Sequence, residues 1–130
     1  MYGEGERYPF IGLVDTRGPL RDGIWIGANS AGFAIMNSAS TNLITAQDTV
    51  AVKDREGTLM RLALGRCATV EEFEALLGEL PKPLGVEANF GVIDACGGAS
   101  FFEVDNFRAT RLDANDQRVA PFGYIVHTNF

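Results

Sequence analysis

Between Thr69 and Pro83 the sequence marks both ends of a helix, and this stretch constrains the fold more than any other. Thr69 followed three residues later by Glu72 makes a capping box. The hydroxyl accepts an amide of the first turn, while the carboxylate reaches back to the chain entering it. Val70, Phe73, Leu76, Leu77 and Leu80 recur on one helical face. Pro81 and Pro83 lack the amide hydrogen that a continuing helix needs, so they end it. Such an apolar face must be buried against another layer, and the flanking sequence supplies strands.

Upstream, Tyr8–Val14, Ile24–Gly27 and Phe33–Met36 are apolar and β-prone. Asp15–Asp22 carries a loop signature, and Ala28–Gly32 reads as a hairpin turn. Period-two alternation sets Phe33, Ile35, Asn37 and Ala39 on one face, while the polar run Asn37–Asp48 reads as a loop. Asp54 is the expected N-cap of a further helix through Leu59, Leu62 and Ala63. Downstream, Ala88–Ala95, Ser100–Val104, Ala109–Leu112 and Tyr124–Asn129 read as strands, with a tight turn at Gly97-Gly98. The last would place Ile125, His127 and Asn129 on one face. Strands, two helices and strands again give an α+β fold, with both helices on one face of a mostly antiparallel sheet.

The 130 residues suit a single domain. A net charge of −6 without a basic run argues against nucleic acid and against an anionic membrane surface. No apolar stretch nears the ~20 residues of a bilayer span, and the polar start Met1–Arg7 is not a signal peptide. Cys67 and Cys96 are too few for a disulfide framework and lack metal-ligand spacing.

Three segments in order carry a family resemblance. They are Gly27–Ile35 with its Asn29-Ser30-Ala31-Gly32 turn, Asn89–Ala95 with Phe101–Val104, and Val126-His127-Thr128-Asn129. Together they resemble the acyl-coenzyme A:6-aminopenicillanate acyltransferase family and its wider relatives, the choloylglycine hydrolases. The resemblance implies part of an αββα N-terminal-nucleophile sandwich that cleaves or transfers a linear amide. It implies a small-molecule amide substrate and no metal or organic cofactor; a coenzyme A thioester would enter only in the acyltransferase branch. The nucleophile in such enzymes is a Cys freed at a new N-terminus, whose own α-amino group is the base. That Cys, with the Arg and Asp that follow it, would precede the segment matching Tyr8-Pro9-Phe10. None of the three is found here, so the chain reads as an incomplete domain over 1–130, inactive alone. Sheet edges left unpaired by such a cut would favour edge pairing into a homo-oligomer, or aggregation.

The resemblance makes Asn129 the oxyanion donor, since an Asn amide can be fixed at hydrogen-bonding distance from developing charge. Asn37 and Ala39 fall near a second polar contact of choloylglycine hydrolases, Ala39 at the closer position. His127, the one histidine, is expected in the pocket wall or in a structural role rather than as a base. Cys67, at a helix C-terminus, and Cys96, in a turn, are read as incidental thiols. Asn29 and Gly32 serve their turn, and Trp25, Phe101 and Phe102 are core by default, with an acyl-pocket wall as the alternative. Two rivals remain: a binding module that kept the fold without the chemistry, and an unrelated cysteine enzyme using Cys67 or Cys96.

Overall fold

In a computed structural model, residues 6–14, 23–43, 51 and 53–129 are described. The elements run β1 (Phe10–Val14), β2 (Ile24–Asn29), β3 (Ala34–Ala39), α1 (Glu56–Arg66), α2 (Val70–Glu79), β4 (Ala88–Ile93), β5 (Ala99–Val104) and β6 (Ala109–Asp113). The strands form one six-stranded sheet in sequence order. Every neighbouring pair is antiparallel. Both helices lie between β3 and β4 in sequence, yet these two strands pair directly, from Ala34 against Ile93 to Ala39 against Ala88.

The core sits between the sheet and the helices. Phe33, Ile35, Phe90, Val92, Phe102 and Val104 point from the sheet at Leu59, Met60, Leu64, Val70, Phe73 and Leu77. Phe73 of α2 meets Phe102 edge-on at 5.2 Å between ring centroids and also contacts Phe33 and Phe90. Apart from the C-terminal segment over one end, the other sheet face carries apolar side chains with no second layer above them among the described residues. Ile11 is 78% exposed, Leu13 69% and Ile93 58%. A register shift between Leu13 and Val14 leaves Trp25 as an extra residue opposite β1, and its side chain is 47% exposed.

The cap forms with one difference from a capping box: Thr69 Oγ1 accepts from the Glu72 amide at 3.2 Å, while the Glu72 carboxylate accepts from the amide of Ala68, one residue before the cap, at 2.6 Å. The helix stops at Glu79, and Leu80 is its extended C-cap. Three expectations need correction. Asp54 does not cap α1; it adopts a left-handed φ of 59°, and the N-cap is Arg55, without a side-chain cap bond. Asn37 and Ala39 do not open a loop, because the ladder to β4 carries β3 on to Ala39. Residues 40–43 follow outside the ladder, and 44–48 lie outside the described residues, as does the loop expected over 15–22. Tyr124–Asn129 forms no strand and joins no ladder. The helix-facing placement of Phe102 excludes it from any pocket on the open face.

Two side chains pin α2 to the sheet. Arg111 on β6 bonds Ser100, Glu71, Glu74 and Asp113 and lies over the Phe102 ring. Asp94, in the β4–β5 turn, accepts from the Val70 amide through one oxygen and from the Cys96 and Gly98 amides through the other. The first of these bonds is a carboxylate at the start of a helix, where the orphan amides and the dipole both favour negative charge. These bonds, the Val70 amide first, hold the Asp94 carboxyl below its ordinary 3.8 against the opposing effect of its partial burial. A depressed carboxyl contributes stability above its unfolded pKa and loses it as pH falls through the folded value. In urea melts, Asp94→Asn should therefore cost stability at pH 7, and its gap from the parent protein should narrow as the pH falls below the ordinary carboxyl value of 3.8. A gap of constant size down to pH 2 would contradict this assignment. Gly98 faces the same carboxylate, and a Cβ there would collide with Asp94 and with Val70 Cγ2 at 2.9 Å.

Candidate functional site

The C-terminal segment lies against the open face of the sheet, over the end formed by β3, β4 and β5. Asn89 and Glu103 are cross-strand partners there, and both point to the open face, because Phe90 and Phe102 beside them point to the core. His127 is held from three sides. Its ring stacks on Phe101 at 4.4 Å and 14°, its Nε2 is 3.0 Å from Glu103 Oε1, and its Nδ1 is 2.6 Å from the Thr128 carbonyl. The side chain is only 7% exposed, so the segment is seated by this ring rather than by a ladder.

The next two residues are fixed through their backbone. Asn89 Nδ2 donates to the Thr128 carbonyl at 3.3 Å, and the Thr41 amide, just past β3, donates to the Asn129 carbonyl at 3.2 Å. Thr41 Oγ1 reaches that carbonyl as well, at 3.3 Å. Asn129 is thus anchored by its main chain, while its side chain is exposed and makes no hydrogen bond among the described residues.

Along the same face runs an apolar trough of about 360 Å³, with Met36, Gly91, Ile93, Phe101 and Ile125 in its walls. Of the three aromatic residues weighed as pocket wall, only Phe101 lines it. The structure does not bring all the expected site residues together. Asn37 pairs with the core residue Phe90 and Ala39 with the buried Ala88, so both belong to the helix-facing side, across the sheet from His127 and Asn129. Glu103 and Asn89, which hold the segment, were not singled out from the sequence. The signal available was Asn89, the one polar residue of β4, and Glu103, the one charged residue of β5.

Neither cysteine is placed as a nucleophile. Cys67 is buried beyond the C-terminus of α1, and burial, with the Glu72 charge, pushes its thiol up to about 12. It is therefore a neutral thiol at physiological pH, and the thiolate is the reactive form. Cys96 is exposed, and its amide bonds the acidic Asp94. Mild iodoacetamide treatment of the folded protein should label Cys96 and spare Cys67, as peptide mass mapping would show; rapid labelling of Cys67 would contradict its burial. No cluster of three or more His, Cys, Asp or Glu suited to a metal is present among the described residues.

Asn29 fills a structural role larger than its turn. Its Nδ2 donates to the carbonyls of Leu64 and Cys67 at 2.8 and 2.7 Å, and its Oδ1 accepts from the Ala31 and Phe33 amides, both at 3.0 Å. One buried amide thereby closes the β2–β3 turn, where Gly32 takes φ 86°, and satisfies the C-terminal end of α1.

Solved structures share this fold. A variant of the conjugated bile acid hydrolase from Clostridium perfringens superposes with a TM-score of 0.57 at 14% identity, over 85% of this chain and 37% of the hydrolase. A second mutant of that enzyme gives 0.58 at 14% identity, over 85% and 36%. The penicillin V acylase from Agrobacterium tumefaciens gives 0.54 at 16% identity, over 83% and 33%. The chain thus spans little more than a third of the length of these proteins. No curated protein sequence matches it. The sequence profile of the acyl-coenzyme A:6-aminopenicillanic acid acyl-transferase family matches residues 2–130, nearly the whole chain, and the chain belongs to that family.

Proposed function

We propose that this chain supplies the oxyanion-binding layer of a cysteine amidohydrolase or acyltransferase acting on a linear, small-molecule amide. The observation that carries the reading is Asn129: an exposed amide with no bond among the described residues, on a backbone fixed at Thr41 and Asn89. A thiolate attacks the amide carbonyl, and the carbonyl oxygen becomes an oxyanion to which Asn129 Nδ2 donates. Collapse breaks the C–N bond, the amine leaves with a proton, and an acyl-thioester remains for water or a second amine to take. The thiolate comes from a Cys outside these 130 residues, whose thiol proton passes to its own α-amino group. This assignment rests on the unsuitability of Cys67 and Cys96. The open apolar face is the side that would take the second sheet of the sandwich. His127 contributes to the pocket wall by seating the segment; Asn37 and Ala39, on the other side of the sheet, are dropped from that wall.

The test is amide hydrolysis by the full-length protein, followed as amine release. A thiol alkylating agent should abolish turnover, while the double variant Cys67→Ala/Cys96→Ala retains it. Loss of activity in the double variant, with folding intact by circular dichroism, would return the nucleophile to this chain and overturn the reading.

A further inference from the structure

We propose that Glu103 is a positioning residue for the amide reaction, acting through His127 to set where the Asn129 donor stands. The inference rests on the oxyanion role of Asn129. The segment 124–129 joins no strand ladder, so its backbone is not placed by the sheet in the ordinary way. What places it is two side-chain contacts and one main-chain bond: the Glu103–His127 contact at 3.0 Å, the Asn89 side-chain amide on the Thr128 carbonyl, and the Thr41 backbone amide on the Asn129 carbonyl.

Of the three, the Glu103 contact is the one that fixes a ring. The His127 imidazole is stacked on Phe101 at 4.4 Å and nearly enclosed. Glu103 Oε1 meets the ring at its Nε2 edge, and the Thr128 carbonyl meets the Nδ1 edge. Thr128 is the residue directly before Asn129, so a shift of the ring is passed on through a single peptide unit. Glu103 itself is set by the β4–β5 register, which places it opposite Asn89. The same cross-strand pair thus holds His127 through one member and Thr128 through the other.

An oxyanion donor acts only at hydrogen-bonding distance from the developing charge, and a displacement of about 1 Å can cost a hundredfold in rate. Removing the Glu103 carboxylate should therefore lower kcat and leave KM nearly unchanged, since the amide is bound before the oxyanion forms. The experiment is a double-mutant cycle in the full-length protein between Glu103→Ala and Asn129→Ala, with Glu103→Gln as the conservative variant and thermal melts on all of them. Glu103→Ala alone should lower kcat about ten- to a hundredfold. Glu103→Gln, whose side-chain carbonyl can still accept from His127 Nε2, should restore most of it. In the Asn129→Ala background, Glu103→Ala should cost little further, because the donor it positions is gone. Equal losses in both backgrounds would overturn the positioning role and reduce Glu103 to a stabilising contact. So would an unchanged kcat in Glu103→Ala. If Asn129→Ala by itself left kcat intact, the oxyanion reading would fall, and this inference with it. Should Glu103→Ala fail to fold, the cycle is run with Glu103→Gln and Glu103→Asp, and additivity between either one and Asn129→Ala overturns the proposal.

Discussion

Asn29→Ala should destabilise the protein by about 4 kcal/mol, more than an ordinary polar-to-alanine change. The substitution removes four hydrogen bonds from one buried side chain. Of the two turn amides, only that of half-exposed Ala31 can recover part of its loss from water, since Phe33 is fully buried. The carbonyls of Leu64 and Cys67 cannot, because they end a helix packed on the sheet, and a buried acceptor left unpaired costs about 1–3 kcal/mol. For a chain of this size the melting temperature should fall by roughly 10–20 °C. Asn29→Asp is the sharper probe. It keeps the acceptor for the turn but sets a carboxylate beside two carbonyl oxygens at a helix C-terminus, where negative charge is disfavoured. Asp should thus be no better than Ala, although it is nearly isosteric with Asn. A fall of only a degree or two in either variant would mean that the α1 end finds other donors.

The second large effect is catalytic. Asn129→Ala in the full-length protein should lower kcat for amide hydrolysis by about 10²–10³, with KM changed little, the behaviour of a donor used only in the transition state. Stability should stay within ~0.5 kcal/mol, because the side chain is exposed and only its backbone is engaged. Asn129→Asp should be at least as slow, since it sets a negative charge against the oxyanion. A rise in KM with kcat unchanged would make Asn129 a ground-state binding residue and remove it from the oxyanion site.

How far these sites were legible in the sequence depended on whether a local rule or a distant partner fixed them. The α2 boundaries were legible because Thr69, Glu72, Pro81 and Pro83 all act within a turn of themselves. Asp54 has the same capping chemistry in principle, but the Arg55 amide bonds the Gly85 carbonyl, and the chain enters α1 one residue later. Such a tertiary bond leaves no local mark. The alternation that set Phe33, Ile35, Asn37 and Ala39 on one face was correct as geometry, and the β4 register shows that face to be the core side. Period two says which residues share a face and not which face meets the ligand. The C-terminal segment shows the same limit: Ile125 and His127 do turn toward the protein while Tyr124 and Val126 are exposed. Alternation gave the facing of these side chains, but it could not distinguish a ladder from a ring seated on Phe101. Glu103 and Asn89 act on residues far along the chain, so their role became visible only once the strands were paired.

The strand order has a consequence for how the chain reaches this shape. Each sheet neighbour is also a neighbour in sequence, and only the β3–β4 seam closes over the whole helical excursion. The β1–β3 and β4–β6 sets are therefore meanders that can zip locally, each at a small loop-closure cost. Joining them is the non-local step within the sheet, and the Phe73 ring, touching Phe33 on one side of the seam and Phe90 and Phe102 on the other, completes its contacts only when that step occurs. The helical pair thus acts as a clasp between two halves, and folding kinetics should follow this long-range closure more than the local hairpins.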